Sequence, residues 1–236
     1  MIEIDQLTVE FGPVRPLDAL SARLDAPISG LIGPNGAGKT TLLNALSGFV
    51  TPASGDLRLE GVSLIKMSPA ARARAGLRRN FQQETVVEGL SVAQNVMSVA
   101  DHVCGSGARA REDAEKAIAF VGWEALRNVP GRRLNLFDRR RTELARALTG
   151  RPKLLLLDKP AAGLNAGETE ALRGRLAAVA STFGAHILLI DHDADLIASL
   201  SVETLVIDFG RRLALGPTAQ VLRDPEVRRA YLGTAA

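Results

Sequence analysis

The clearest chemical pattern in the chain is the stretch GPNGAGKT at residues 33–40, which fits G-x-x-x-x-G-K-[ST]. An apolar run at 28–32 precedes it and a stretch with helical spacing, 40–46, follows it. In that context the glycines let backbone N–H groups converge on phosphates at the positive end of a helix. A turn that matches by chance is the weaker interpretation, because strand, loop and helix stand in the order that the mechanism requires.

This loop predicts a site for a magnesium-bound nucleotide, most simply ATP. Lys39 is placed for the β and γ phosphates, and the Thr40 hydroxyl is a candidate ligand of Mg²⁺. The residues predicted to bind ATP in and beside the loop are Gly33, Pro34, Asn35, Gly36, Ala37, Gly38, Lys39, Thr40 and Thr41.

A second candidate for magnesium binding is Asp158, which ends the apolar run Leu154, Leu155, Leu156 and Leu157. Proteins with this kind of phosphate loop hold the metal through an Asp at the end of a buried strand. Many parallel strands end in Asp, so the prediction depends on the upstream loop.

The elements that must position these residues are predicted from hydrophobic periodicity. Residues 2–9 alternate as a strand of an antiparallel edge sheet, which ends at 11–13, and 55–61 alternate as another strand. Residues 69–75 are bracketed as a short helix by Ser68-Pro69 and Gly76.

The middle of the chain predicts a helical insertion. Ser91 and Gln94 form a capping box before the helix 92–99, and 110–121 is amphipathic. Trp123 is interpreted as a core anchor of this part rather than as a binding residue.

After Gly150 the α/β pattern returns, with continuous apolar runs typical of buried parallel strands. The predicted elements there are strands at 153–158, 186–191, 204–208 and 212–215 and helices at 166–183 and 225–232. We therefore predict one α/β domain over 1–236, with a core formed by 1–83 and 150–236 and a helical subdomain at 84–149.

The composition and the N-terminal residues predict that this domain is cytoplasmic. Hydrophobic residues make up 46% of the 236 residues, and the longest apolar runs are far shorter than a membrane span. The N-terminus carries Glu3, Asp5 and Glu10 where a secretory signal has basic residues, and Cys104 is the only cysteine. With a net charge of +3, the arginines are interpreted as solvated faces rather than as a nucleic-acid surface.

The order of these motifs resembles the ATP-binding subunits of ABC transporters over essentially the whole chain. The resemblance implies a P-loop NTPase of the ABC ATPase type, with a mixed central sheet and an antiparallel β edge. It implies that Phe11 stacks on adenine, that Gln82 contacts magnesium and links to the membrane subunits, and that His192 is the switch histidine at the γ-phosphate.

A finer resemblance is to the importers of branched-chain amino acids and their relatives for amides and urea. It is carried by Pro160-Ala161-Ala162-Gly163-Leu164-Asn165, which looks like their D-loop, and by the C-terminal stretch 223–233. It implies uptake of branched-chain amino acids or similar small polar solutes.

The chain departs from the family at the catalytic position after Asp158, where Lys159 stands in place of a Glu that polarises the attacking water. A protonated lysine beside phosphates has no lone pair to accept a proton. Loss of a positioned general base typically costs about 10²- to 10⁴-fold in rate.

The second departure is the signature, normally L-S-G-G-Q, which here is Leu134, Asn135, Leu136, Phe137 and Asp138. In the family this segment reaches across a dimer to the partner's γ-phosphate. Phe137 adds bulk and Asp138 adds negative charge near a polyanion, while Asn135 retains a donor.

These departures leave two hypotheses for function. The first is an importer ATPase subunit that binds ATP and Mg²⁺, lies on the inner face of the cell membrane and pairs with a second ATPase subunit. Its other partners would be membrane permease subunits, which residues 82–100 would contact, and indirectly a periplasmic or extracellular solute-binding protein. The second is a pseudo-ATPase that binds nucleotide as a regulatory or scaffold subunit; a soluble ABC ATPase of DNA repair or translation fits less well.

Overall fold

A computed structural model describes residues 1–81, 85–191 and 193–232. Its strands are β1 (Ile2–Phe11), β2 (Val14–Leu24), β3 (Ile28–Ile32), β4 (Ser54–Leu59), β5 (Val62–Ser63), β6 (Leu77–Asn80), β7 (Leu154–Asp158), β8 (His186–Ile190), β9 (Glu203–Asp208) and β10 (Arg211–Pro217). Its helices are α1 (Lys39–Ser47), α2 (Pro69–Arg74), α3 (Val92–Cys104), α4 (Ala108–Phe120), α5 (Leu136–Ala147), α6 (Ala166–Phe183), α7 (Ala194–Leu200), α8 (Thr218–Val221) and α9 (Pro225–Val227). Short 3₁₀ turns lie at Glu124–Leu126 and Gly131–Arg133, and a π-helical turn at Arg228–Leu232 follows α9.

The chain divides into two compact units, of which the first comprises 1–72 and 186–236. One of its sheets is antiparallel, in the order β2-β1-β4-β5, which confirms the predicted antiparallel edge. In its other sheet β3 lies between the parallel strands β8 and β9, and β10 extends β9 antiparallel. The five residues of β3 are all buried, so the phosphate loop leaves from the centre of this sheet.

The second unit, residues 73–185, contains the parallel pair β6 and β7 together with α3, α4, α5 and α6. The predicted capping box of α3 is confirmed, since Gln94 N donates to Ser91 Oγ and Ser91 N donates to Gln94 Oε1. Trp123 is 4% exposed, which confirms it as a core residue. Among the described helices, none is both long enough and apolar enough to cross a membrane.

The elements that were not predicted include β2, β6 and α7. The stretch 14–24 carries Arg15, Asp18 and Arg23 on its outer face, which hides the alternation of the buried Leu17, Leu20 and Leu24. In β6 the two central positions are arginines, a composition typical of a surface loop rather than of a strand. The predicted terminal helix is present over 225–232, but its last five residues wind as a π-helix.

A buried arginine, Arg72, binds the C-terminal end of α1, the helix that follows the phosphate loop. Arg72 is 2% exposed, and its guanidinium donates to the carbonyl oxygens of Ala45 and Leu46 in the last turn of α1 and to Met67 O. The last carbonyls of a helix lack partners in the following turn, and here Gly48 N and the Arg72 guanidinium both donate to Ala45 O, while Arg72 also donates to Leu46 O. A cation at this end also interacts favourably with the helix dipole.

We expect Arg72→Met to lower the free energy of unfolding by about 2 kcal/mol or more, because it removes the buried guanidinium that donates to the carbonyls of Leu46 and Met67. Urea unfolding measures the change. The matched control is Arg74→Met on the same helix, since Arg74 is exposed and its loss should leave stability within about 0.5 kcal/mol of the parent. Equal losses in the two variants would contradict the role assigned to Arg72.

Candidate nucleotide site

The phosphate loop follows β3 and runs into α1 in the first unit. Two of its glycines are required by close backbone contacts: a Cβ at Gly33 would collide with the carbonyl oxygen of Ile207, and one at Gly38 with that of Pro16. Both also have positive φ, 151° at Gly33 and 108° at Gly38, which favours glycine. The loop is thus held against β9 on one side and β2 on the other.

The start of α1 has the properties of an anion site. Its N-cap is Gly38, which offers no side-chain hydrogen bond, and its first turn contains no acidic residue. The N–H groups of this turn are therefore not capped by a side chain, and the dipole of the helix favours a negative charge in front of them. Thr40, in this first turn, is exposed.

Lys39 is held at the loop. Its Nζ donates to the carbonyl oxygens of Gly33 and Pro34 at 2.6 and 2.7 Å, so the ammonium lies over the loop backbone. A phosphate oxygen would form a charge-assisted hydrogen bond with it, which is roughly twice as strong as one between neutral groups.

The hairpin of β1 and β2 carries the predicted base-stacking residue. Phe11 ends β1, pairs with Val14 across the turn and is 53% exposed, although it is aromatic. The same hairpin supplies the Pro16 carbonyl that lies against Gly38. The loop and the candidate stacking ring are therefore linked through the first residues of β2.

Asp158 lies in the second unit at the end of β7 and is 7% exposed. It lines a small pocket with Asn80, Arg140 and Glu143. The pKa of the neighbouring Arg79 is lowered by burial and raised in part by the charge of Asp158, so the two side chains lie close. A carboxylate oxygen is one of the ligands that a divalent cation such as Mg²⁺ takes.

Lys159 follows in the left-handed region with φ of 50°, which is strained for any residue with a side chain. Its carbonyl accepts Ala162 N at 3.1 Å and closes the turn that begins the predicted D-loop segment. That segment ends at Asn165, which caps α6 in a capping box with Glu168. The backbone at 159 is thus fixed by the turn.

The signature segment is built into the start of α5. Asn135 is its N-cap, with Oδ1 accepting Asp138 N at 2.8 Å, and Leu136 begins the helix. Asp138 lies in the first turn, and its pKa is raised by burial and partly lowered by Arg141. The amide that Asn135 caps is already hydrogen-bonded within the chain.

Phe137 packs on a stacked cation. The guanidinium of Arg141 lies 3.9 Å from the ring centre of Trp123 and 5.3 Å from that of Phe137. Its Nε also donates to Val121 O at 2.9 Å, at the end of α4. Phe137 is therefore a structural contact between the helices of the second unit.

Glu143, a buried residue of α5, was not predicted as part of any site. Its Oε1 accepts the N–H and the hydroxyl of Thr85 at 2.7 and 3.1 Å, and Arg146 Nη1 donates to Thr85 O at 2.6 Å. The helix after the signature thus fixes the chain directly after residues 82–84. The available sequence signal was an acidic residue flanked by arginines.

The loop residues 33–41 lie in the first unit, and Asp158, Lys159 and the signature segment lie in the second. Gln82 and His192, the predicted glutamine-loop and switch residues, lie outside the described residues. Their roles remain predictions.

The chain is similar to known proteins over its whole length. Residues 24–162 match the model of the ABC transporter family, and 211–236 match that of the branched-chain amino acid ATP-binding cassette transporter. The chain is 35% identical to the high-affinity branched-chain amino acid transport ATP-binding protein BraF of Pseudomonas aeruginosa, covering 100% of this chain and 98% of that protein. LivG of Escherichia coli, with the corresponding description, gives the same identity and coverage. An ATP-binding cassette of an ABC transporter in its ADP conformation has the same fold, with a TM-score of 0.89 over 99% of this chain and 98% of that one at 24% identity.

We expect Phe137→Gly to lower the free energy of unfolding by about 1–3 kcal/mol, because it removes the ring beside Arg141 and places glycine in a helix. Guanidinium unfolding followed by the fluorescence of Trp123, the only tryptophan, measures it. Phe137→Leu is the control that keeps apolar volume and should lose less. If both variants unfold like the parent, Phe137 is not a structural contact.

Proposed function

Because the chain belongs to the ABC transporter family, we propose that it is the ATP-binding subunit of an importer for branched-chain amino acids or similar small polar solutes. The observation that carries the proposal is the phosphate loop, with Gly33 and Gly38 packed where no side chain fits and Lys39 folded over its backbone. The full-length similarity to BraF and LivG and the match of residues 211–236 support the solute class.

The donor set fits ATP with Mg²⁺. Thr40 and Asp158 would hold the ion, together with Gln82, and their hydroxyl, carboxylate and amide oxygens are the ligands that Mg²⁺ prefers. The ion would neutralise charge on the β and γ phosphates. The chain's own contributions are the N-terminus of α1 for the phosphates, Lys39 as a point charge and Phe11 as a stacking surface.

The partners proposed for the chain are a second ATPase subunit, permease subunits and, through them, a solute-binding protein. Contact with a permease is proposed for residues 82–100. In its described part Val87 is 50% exposed, and the Glu88 side chain is 68% exposed. This assembly would hold the protein at the inner face of the cell membrane.

We expect Lys39→Ala to weaken MgATP binding at least tenfold, because it removes the compact charge beside the phosphates. Calorimetry on both proteins measures the affinity. Lys66→Ala, at an exposed lysine of the same unit, is the matched control and should bind like the parent. Unchanged affinity in Lys39→Ala would exclude the loop as the nucleotide site.

Lys159 determines whether the subunit also hydrolyses ATP. We expect the parent to bind ATP with turnover near background, and Lys159→Glu to raise turnover at least tenfold when a partner subunit supplies an intact signature. An enzyme-coupled assay of phosphate release measures the turnover of both proteins. Lys153→Glu, a charge-matched change at an exposed lysine before β7, should leave turnover unchanged.

Two other outcomes distinguish the alternatives. If Lys159→Glu lowers ATP affinity without raising turnover, the lysine contacts the γ-phosphate. That outcome supports the pseudo-ATPase hypothesis. Robust magnesium-dependent hydrolysis by the parent, unaffected by Lys159→Ala, would contradict both roles of Lys159.

A further inference from the structure

Phe209 occupies an unusual place for an aromatic residue, the two-residue turn between β9 and β10. Asp208 pairs with Arg211 across the hairpin, and the two residues between them, Phe209 and Gly210, have positive φ of 43° and 77°. A hairpin turn with positive φ at both central positions favours Asn, Asp or Gly at the first of them, because a bulky side chain is strained there. The turn itself therefore gives no reason for a phenylalanine.

The ring of Phe209 gains no burial that would offset this strain. Its exposed fraction is 87%, the largest of any large apolar residue in the described part of the chain. Residues that break a local structural rule and persist in a strained conformation are found mostly at functional sites. The combination of strain and exposure therefore indicates that the ring acts on something outside the fold.

The turn lies beside the phosphate loop. β3 and β9 are adjacent parallel strands, with Ile32 opposite Val206, so their carboxyl ends lie at the same edge of the sheet. The phosphate loop follows β3 at this edge, and Phe209 directly follows β9. Gly210 N donates to Ala37 O at 3.0 Å, so the residue next to Phe209 is hydrogen-bonded to the loop. Ligands of open α/β sheets bind outside the carboxyl ends of the strands.

The same turn is tied to the hairpin of β1 and β2, which carries Phe11. Asp18 N, in β2, donates to Gly210 O at 3.0 Å, and Arg211 Nη2 donates to Asp18 Oδ2 at 2.6 Å. The carbonyl oxygen of Pro16, which lies against the phosphate loop, also lies against Gly210. The phosphate loop is therefore adjoined by both hairpins.

The part of a nucleotide that fits an aromatic ring at this place is its base. The loop offers backbone N–H groups and Lys39 to the phosphates, and these groups leave the apolar faces of the base to other residues. Every base has a π face that stacks favourably on an aromatic side chain. Phe11 and Phe209 are the aromatic residues of the two hairpins, and both are exposed.

We propose that Phe209 is a nucleotide-binding residue that provides, together with Phe11, an aromatic surface for the base of ATP. The inference rests on the proposed function, in which residues 33–41 bind the phosphates of MgATP. It adds a contact at the carboxyl end of β9 to the single stacking residue expected on the β1–β2 hairpin.

The test is Phe209→Asn, which removes the ring and places in the turn a residue that its conformation favours. We expect the affinity for MgATP to fall about two- to tenfold, the effect of one aromatic contact. The urea midpoint of unfolding should not fall, because the strained side chain is replaced by one that the turn prefers. Phe209→Trp keeps an aromatic ring and should bind MgATP like the parent. Calorimetry on the full chain measures the affinities.

The matched control is Val202→Asn, at the opposite end of the same strand. Val202 directly precedes β9 and is 62% exposed, so the substitution removes an exposed apolar side chain far along the strand from the phosphate loop. It should leave the affinity for MgATP unchanged.

The outcomes separate this inference from the proposed function. If the parent does not bind MgATP, the proposed function fails and the inference with it. If the parent binds MgATP but Phe209→Asn binds it equally well, or Val202→Asn loses as much affinity, only the inference is overturned. An equal loss in Phe209→Asn and Phe209→Trp would also overturn it. Unchanged affinity with weaker ATP-dependent association with a second ATPase subunit would assign the ring to a protein contact instead.

Discussion

The site in the first unit depends on one constraint, the close approach of the phosphate loop to two other backbone segments. Ile207 of β9 occupies the space beside Gly33, and Pro16 of β2 occupies the space beside Gly38. Gly210 N also donates to Ala37 O at 3.0 Å, so the turn after β9 holds the middle of the loop. Because each contact is to backbone, a side chain at either glycine could be accommodated only by moving a strand.

Buried and half-buried arginines donate to carbonyls at the ends of helices in both units. Arg72 closes the last turn of α1, and Arg141 and Arg175 donate to the carbonyls at the end of α4. Arg78, whose pKa burial lowers to about 10, donates to Thr149 O at 3.0 Å just after α5. Carbonyl oxygens in the last turn lack partners, so a guanidinium there offsets part of the cost of its own burial. Arginines that look like solvated residues in the sequence are thus partly core residues.

The sequence predicts the elements whose pattern is local. The run before the phosphate loop, the capping box of α3 and the helix Ala166–Phe183 were all found from residue spacing. The missed strand β6 has a pattern that tertiary contacts complete. It contains Arg78, whose guanidinium donates to Thr149 O, a carbonyl that the fold brings near. Glu143 was missed for the same reason, since its partner Thr85 lies far away in the sequence.

The two departures from the family pattern differ in physical character. Lys159 sits in a left-handed conformation that costs about 1 kcal/mol or more, and the bond that closes its turn is made by its backbone carbonyl, not by its side chain. Phe137 and Asn135, by contrast, have structural partners: one packs on Arg141, and the other caps α5. Changing the signature segment toward the family sequence would therefore disturb the second unit, whereas changing Lys159 would not.

This difference bears on how the chain would act in a dimer. If the chain pairs with a second ATPase subunit as proposed, one composite site would be affected by Lys159 and the other by Asn135, Phe137 and Asp138. A competent partner subunit would then leave one departure in each site, and a homodimer would combine both in each. Because the signature segment packs and caps within the second unit, whereas Lys159 is held through its backbone, a single substitution is the more direct change at Lys159.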